Sequence, residues 1–295
     1  MWSTLLLLAC TAPDSDTRSP AETTDSTGPT DTAGTDTTET TTTEPELPYS
    51  GGTCPTLTAG VNDGFVSGND DDRTFRVLLP ENPTGAGVVF AWHWLGGNAR
   101  QIEQYMGLDA WADDRGFIVI SPDASGDQDY EWDFGDGPEG NPDALFFDDL
   151  VACSAATWGV DRDNLHAVGM SAGGLWTTWL TIYRADVLAT TAPLSGGTSF
   201  YVSPAQPIPV LLTWGGPTDT YSGYSFETAS ETMSEGLRDD GHFVVECVHD
   251  GGHTIPSEAT DYVGQFFSDH RRGVSPEPYL DGLPASFPDW CRIPG

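Results

Sequence analysis

The 295-residue chain contains no lysine, and all eleven of its basic residues are arginines. Aspartate and glutamate together number 45, which gives a formal net charge of −34 at pH 7. A surface of this sign repels nucleic-acid phosphates and anionic lipid headgroups, so the composition argues against nucleic-acid binding. Long apolar runs are also missing, and the one at the start, MWSTLLLLAC, is too short to span a bilayer.

The first fifty residues differ in composition from the rest. Residues 1–10 end in Leu-Ala-Cys and resemble a bacterial lipoprotein signal, which implies acylation of Cys10 and a cell-surface or outer-membrane location. Ordinary secretion is the alternative. Residues 11–50 are mostly Thr, Asp, Glu, Ser, Pro and Gly, and such a segment predicts a disordered tether. Residues 51–295 hold nearly all the aromatic side chains and predict a single globular domain, which would contact a membrane only through the lipid anchor.

Apart from Cys10, the chain has four cysteines. An even number of cysteines in an exported chain favours two disulfides, for which three pairings exist. Cys54 and Cys291 lie near the two ends of the predicted domain. We therefore favour Cys54 with Cys153 and Cys247 with Cys291, each of which would join a terminal segment to the body of the domain.

Segments with the pattern of a strand alternate along the chain with segments of helical pattern. The continuous apolar runs at 88–95, 117–122 and 165–170 favour buried strands, and residues 100–114 show apolar side chains at helical spacing. Further strands are predicted at 74–80, 187–196, 209–216 and 242–250, and further helices at 144–158, 172–184, 225–239 and 258–270. This order predicts an α/β fold, with a mostly parallel central sheet and helices on both faces.

The segment GMSAG, residues 169–173, has the pattern Gly-x-Ser-x-Gly. It lies between a predicted strand and a predicted helix, where a sharp turn would expose Ser171 at the carboxyl edge of the sheet. A serine hydroxyl is a weak nucleophile at neutral pH unless a histidine takes its proton and a carboxylate orients that histidine. In this structural setting the chain order is nucleophile, then acid, then histidine.

Two downstream residues meet that order. Asp219 is the carboxylate nearest to the exit of the strand at 209–216. Four histidines follow Ser171, and His253 alone lies in a loop that contains two glycines, DGGHTIP, directly after a predicted strand. We therefore predict a catalytic triad of Ser171, Asp219 and His253. A metal site at His249 and His253 is disfavoured, because four-residue spacing brings two ligands together only on a helix.

An acyl-transfer site also needs backbone N–H donors for the oxyanion. Ala172 follows the predicted nucleophile at the start of a helix, and its N–H is the first predicted donor. The second comes from the loop His93-Trp94-Leu95-Gly96-Gly97-Asn98, where Leu95 is preferred and Trp94 is the fallback.

Three motifs resemble those of a known family. GMSAGG, HWLGGN and DGGHTIP are similar to the nucleophile elbow, oxyanion loop and histidine loop of the α/β-hydrolase esterases that include poly(3-hydroxybutyrate) depolymerases, feruloyl esterases and acetylxylan esterases. The resemblance spans most of residues 54–291. Trp94 and Ala172 depart from the residues common in that group, which leaves the substrate open.

The resemblance implies serine ester hydrolysis through an acyl-enzyme, without a metal or organic cofactor. The expected substrates are polyesters, feruloylated or acetylated polysaccharides, or small esters, and Trp94 and Trp132 are predicted to contact them. Burial of these tryptophans in the core is the alternative. A non-catalytic binding lipoprotein on the same fold, and a serine peptidase, are the two alternative functions.

Overall fold

Short apolar runs form the centre of the molecule. In the computed structural model, which describes residues 54–68, 71–126 and 129–295, every residue of VVFAW, IVISP, LHAVGM, TTAPL and VLLTW is buried. Strands buried in this way are typical of a parallel sheet covered by helices. The predicted signal, Cys10 and the predicted tether lie outside the described residues, among which no helix is long and apolar enough to cross a membrane.

The helices and strands follow one another in the predicted order. The strands are β1 Gly60–Val66, β2 Asp72–Leu78, β3 Val88–Trp92, β4 Ile118–Pro122, β5 Leu165–Met170, β6 Thr190–Leu194, β7 Val210–Trp214, β8 Thr220–Tyr221, β9 Tyr224–Ser225, β10 Val244–Val248 and β11 Cys291–Arg292. The α-helices are α1 Ala99–Met106, α2 Asp109–Asp113, α3 Pro142–Trp158, α4 Ala172–Tyr183, α5 Phe226–Asp239 and α6 Ala259–Asp269.

Nine of the strands in the described part of the chain form one sheet, in the order β1-β2-β4-β3-β5-β6-β7-β10-β11. The run from β4 to β10 is parallel, and β1, β2 and β11 pair antiparallel at the edges. Because parallel strands all end at the same edge, the loops after β3, β5, β7 and β10 gather there.

Helices cover both faces of the sheet, as the sequence predicted. Side chains alternate along β3, so that Phe90 and Trp92 enter one core while Val89 and Ala91 enter the other. The first core also contains side chains of α3, α4 and α5, and the second those of α1, α2 and α6. The α/β-hydrolase fold expected from the sequence is confirmed.

Local structure differs from the prediction in two respects. The helix expected at 100–114 is divided into α1 and α2, because Gly107 adopts a left-handed conformation with φ 57° and caps α1 through its N–H. No pattern in the sequence predicts β1, β11 or the hairpin of β8 and β9. The hairpin and β11 have strands of two residues, too short for a periodic pattern.

Two disulfides join terminal segments to the body of the domain. Cys54 is bonded to Cys153 of α3, and Cys247 of β10 is bonded to Cys291 of β11. Cys247 and Cys291 are also opposite each other in the β10–β11 pair, so this bond holds the edge strand in register. Both pairings are the ones favoured from the sequence.

Candidate active site

Ser171 lies at a sharp turn between β5 and α4. Its backbone has φ 58° and ψ −117°, a conformation that residues other than glycine rarely adopt and that costs about 1–3 kcal/mol. The turn is packed tightly, since a Cβ added at Gly173 would overlap the Trp92 carbonyl oxygen. This packing holds the strained turn in place and leaves the Ser171 hydroxyl at the carboxyl edge of the sheet.

The imidazole of His253 lies between Ser171 and Asp219. Its Nε2 is 2.9 Å from Ser171 Oγ, and its Nδ1 is 2.6 Å from Asp219 Oδ1. Gly252, with φ 69°, lets the loop after β10 turn back towards the serine. The ring of Phe226 stacks on the imidazole at 4.5 Å between centroids and limits its rotation. The three residues predicted from chain order therefore meet in space.

Asp219 is fully buried, and its second oxygen is also occupied. Oδ2 accepts hydrogen bonds of 2.8 Å from the Ser195 hydroxyl and from the Gly215 N–H. Donors on one carboxylate oxygen leave the other free to face His253 Nδ1 and fix its orientation. Ser195, at the end of β6, was not predicted; its only sequence signal is a position at the same sheet edge, before two glycines.

Residues 93–98, which we call the glycine loop, follow β3 beside Ser171. The Ala124 N–H donates to His93 Nε2, so Nδ1 carries the proton and donates to the Trp94 carbonyl at 2.8 Å. The Gly97 N–H donates to the same carbonyl. Because C=O and N–H of a trans peptide point in opposite directions, this arrangement directs the Leu95 N–H away from the loop interior. Burial lowers the pKa of His93, which favours this neutral form.

A second loop, which contains Glu131 and Trp132, forms hydrogen bonds with the glycine loop. The Glu131 carboxylate accepts a hydrogen bond from the Gly96 N–H at 2.9 Å, and the Trp132 Nε1–H donates to the His93 carbonyl at 2.9 Å. Glu131 has φ 73°, an unfavourable conformation that its hydrogen bond helps to hold.

Trp132 was predicted to contact substrate, and the structure corrects this. Its side chain is 2 % exposed and packs edge-on against Trp92, with ring centroids 4.9 Å apart. Its one hydrogen bond to the glycine loop is to the His93 carbonyl, because its own loop places the indole in the core beneath residues 93–98. Trp94, the other predicted contact residue, does line a cavity beside Ser171 and His253.

His166 and His242 lie outside the hydrogen-bonded group of Ser171, Asp219 and His253. His166 bonds Thr190 and Asn164 inside the sheet, and burial lowers its pKa to about 3. His242 contacts the Ile208 backbone. Within the described part of the chain, no group of three or more His, Cys, Asp or Glu side chains is arranged to hold a metal ion.

Comparison with known proteins finds hydrolases and esterases among the proteins similar to this chain. An oxidized polyvinyl alcohol hydrolase of Sphingopyxis sp. (strain 113P3) is 25% identical over 329 residues, which cover 81% of this chain and 87% of the relative. The solved structure of native sOPH superimposes with a TM-score of 0.67 at 20% identity, covering 81% of this chain and 95% of that one. An acetyl xylan esterase from Aspergillus awamori gives a TM-score of 0.51 at 15% identity, covering 61% of this chain and 81% of that one.

The family model of the prolyl oligopeptidase family matches residues 104–264, which are more than half of the chain. The predicted resemblance to α/β-hydrolase serine esterases and the predicted enzyme class, a carboxylic ester hydrolase, are confirmed. Assignment to poly(3-hydroxybutyrate) depolymerases or feruloyl esterases stays a prediction. The chain belongs to the prolyl oligopeptidase family.

Proposed function

We propose that the chain hydrolyses esters through an acyl-enzyme formed on Ser171. The observation that carries the proposal is the unbroken hydrogen-bonded series from Asp219 through His253 to Ser171, with distances of 2.6 and 2.9 Å. Ser171 Oγ attacks the ester carbonyl while His253 Nε2 takes its proton, and His253 then gives this proton to the leaving alcohol. Water repeats the two transfers on the acyl-enzyme and releases the acid.

The N–H groups of Leu95 and Ala172 are the proposed donors to the oxyanion. Ala172 is the first residue of α4, where an N–H has no partner within the helix. In the described part of the chain, the Leu95 N–H donates to no backbone acceptor. Two such fixed donors beside the nucleophile would stabilise the charge of the tetrahedral intermediate.

The proposed substrate is an ester within or attached to a polymer. The relative from Sphingopyxis carries the name of a hydrolase of oxidized polyvinyl alcohol, and one structural neighbour carries that of an acetyl xylan esterase. Exposed aromatic side chains at the cleft, among them Tyr105 and Phe200, are suited to an apolar chain. Of the two tryptophans predicted to contact substrate, Trp94 lines this cleft and Trp132 does not.

Peptide hydrolysis is the second candidate, because the matching family is named for its peptidases. The same triad would cleave an amide, although an amine is a poorer leaving group than an alcohol. A non-catalytic binding protein, the other alternative from the sequence, is disfavoured because the relatives carry the names of hydrolases and esterases.

One experiment separates the candidates. The full chain is assayed on 4-nitrophenyl butyrate, methyl ferulate, a 3-hydroxybutyrate oligomer, oxidized polyvinyl alcohol and a peptide 4-nitroanilide. Ser171→Ala removes the nucleophile, and Ser257→Ala, at an exposed serine bonded to Glu258, is the matched control. Ester turnover that is lost only in Ser171→Ala supports the proposal. Turnover of the anilide alone favours the peptidase, and no turnover of any substrate by a folded wild type contradicts the proposal.

An extracellular or cell-surface location is part of the same proposal. Two disulfides support export to an oxidising compartment, because disulfides are rarely stable in reducing compartments. Acylation of Cys10 would anchor the enzyme at the surface. Labelling with an alkyne fatty acid, lost in Cys10→Ser, tests the anchor independently of activity.

A further inference from the structure

Two cavities meet at Ser171. Cavity 1, of about 410 Å³, extends from Ser171 and Ala172 towards Trp179 and Phe200. Cavity 2, of about 300 Å³, also has Ser171 in its wall, together with Trp94, Tyr105 and His253, which are absent from the wall of cavity 1. An ester bound for attack therefore has a separate space for each of its two halves.

The position of His253 distinguishes these spaces. The alcohol oxygen must receive its proton from His253 Nε2 when the acyl-enzyme forms, so the alcohol has to lie on the His253 side of the serine. Among the described residues, His253 is in the wall of cavity 2 and not of cavity 1. We propose that cavity 1 receives the acyl half of the ester, that cavity 2 receives the alcohol half, and that Asp136 excludes acyl groups with a negative charge.

The charges around cavity 1 carry the last part of this assignment. Of the described residues in its wall, Asp136 is the only acidic one and none is basic; the others are apolar, aromatic, hydroxyl and glycine residues. The Trp179 Nε1–H donates to the Asp136 carbonyl at 2.7 Å and holds this residue at the cavity wall. A carboxylate on the acyl group would approach Asp136 without any cation in the wall to offset the repulsion.

The other residues in the wall of cavity 1 indicate which acyl groups it binds. Phe134, Trp179, Tyr183 and Phe200 surround the cavity with aromatic rings, and its volume is that of a typical small-molecule site. The favoured acyl group is uncharged and either aromatic or several carbons long. This inference rests on the proposed ester hydrolysis and specifies which half of the ester each wall selects.

The charge test compares two esters of one alcohol in the full-length protein. The substrates are 4-nitrophenyl butyrate and the mono-4-nitrophenyl ester of glutaric acid, which adds a carboxylate. In Asp136→Asn, the ratio of kcat/KM for the charged over the neutral ester is expected to rise about 3- to 10-fold. Asp281→Asn, at an exposed residue outside both cavity walls, is the control. An equal ratio in wild type and Asp136→Asn overturns the role of Asp136.

The assignment of the cavities is tested with two exposed residues. Phe200 is 85 % exposed in the wall of cavity 1 and Tyr105 is 69 % exposed in that of cavity 2, so Phe200→Ser and Tyr105→Ser leave the core intact. Phe200→Ser should change the preference among 4-nitrophenyl esters of different acids. Tyr105→Ser should change the preference among acetates of different alcohols.

The reverse pattern, or no change in either series, overturns the assignment. Deacylation gives a second reading, because the acyl-enzyme no longer contains the alcohol: Phe200→Ser should alter its rate and Tyr105→Ser should not. Failure of the proposed function is a different result, namely no Ser171-dependent turnover of any ester by the wild type.

Discussion

The two halves of the candidate active site are built in different ways. Ser171, Asp219 and His253 each follow the end of a parallel strand, and His253 forms hydrogen bonds with the other two. The glycine loop instead depends on a second loop, through Glu131 and Trp132. The first half is fixed by the sheet, and the second by side chains from a distant segment. The geometry of the glycine loop should therefore change when residues that do not contact the substrate are substituted.

The largest effect is expected from Asp219→Asn in the first half. An amide can donate to His253 Nδ1 and hold the wrong tautomer, so kcat should fall about 10⁴-fold while the fold remains intact. Steady-state kinetics on 4-nitrophenyl butyrate measure the loss. Asp250→Asn, at an exposed carboxylate in the His253 loop, is the control. A loss below about tenfold would remove Asp219 from the proposed triad.

His93→Phe should disrupt the second half while the triad stays intact. The phenyl ring fills the space but cannot donate to the Trp94 carbonyl, so only the Gly97 N–H still holds that carbonyl and the Leu95 N–H is oriented less firmly. We expect kcat to fall about 10²-fold, as for the loss of one oxyanion donor, with a small change in KM. Trp132→Phe removes the donor to the His93 carbonyl and part of the packing against Trp92, and should lower kcat less, about tenfold. Wild-type kcat in both variants would contradict the role of the glycine loop.

Ser195→Ala weakens the support of Asp219 and is expected to lower kcat about tenfold. The effect is moderate because the Gly215 N–H still donates to Oδ2. Ser234→Ala is a matched control, since this buried hydroxyl also donates to a carboxylate, that of Glu246. Both variants should lose similar thermal stability, and only Ser195→Ala should lose activity. An equal loss of activity in the two would show that Ser195 has no specific role.

Acid should lower the stability of the fold rather than the catalytic rate, through histidines that the fold keeps neutral. Burial lowers the pKa of His93, and lowers that of His166 to about 3, from an unfolded value near 6.5. Their contribution to the free energy of unfolding is complete above about pH 6.5 and is lost as the pH falls, by up to about 1.4 kcal/mol per pH unit for each group. Urea unfolding between pH 7.5 and 4.5 measures the slope. His93→Phe should reduce it, and an unchanged slope would contradict the burial of a neutral His93.

The same contrast explains how far the sequence predicts this molecule. The strand order, the Gly-x-Ser-x-Gly turn and the order of the next acid and histidine are local patterns, and they brought Ser171, Asp219 and His253 to one edge. The bonds that hold the glycine loop join residues 35 and 39 positions apart and leave no periodic signal. The prediction that Trp132 contacts substrate was wrong for this reason. The sequence pattern of an aromatic residue near a site is the same whether its side chain faces the cleft or packs beneath it.

The turn at Ser171 also bears on how this chain could change over generations. Close backbone contact at Gly173 fixes the turn, and any side chain there would overlap the Trp92 carbonyl oxygen. Part of the wall of cavity 1 comes instead from loops, with exposed side chains such as Tyr130 and Phe200 that can be exchanged without disturbing the sheet. Descendants of this chain can therefore diverge in the esters they select while they inherit one reactive geometry.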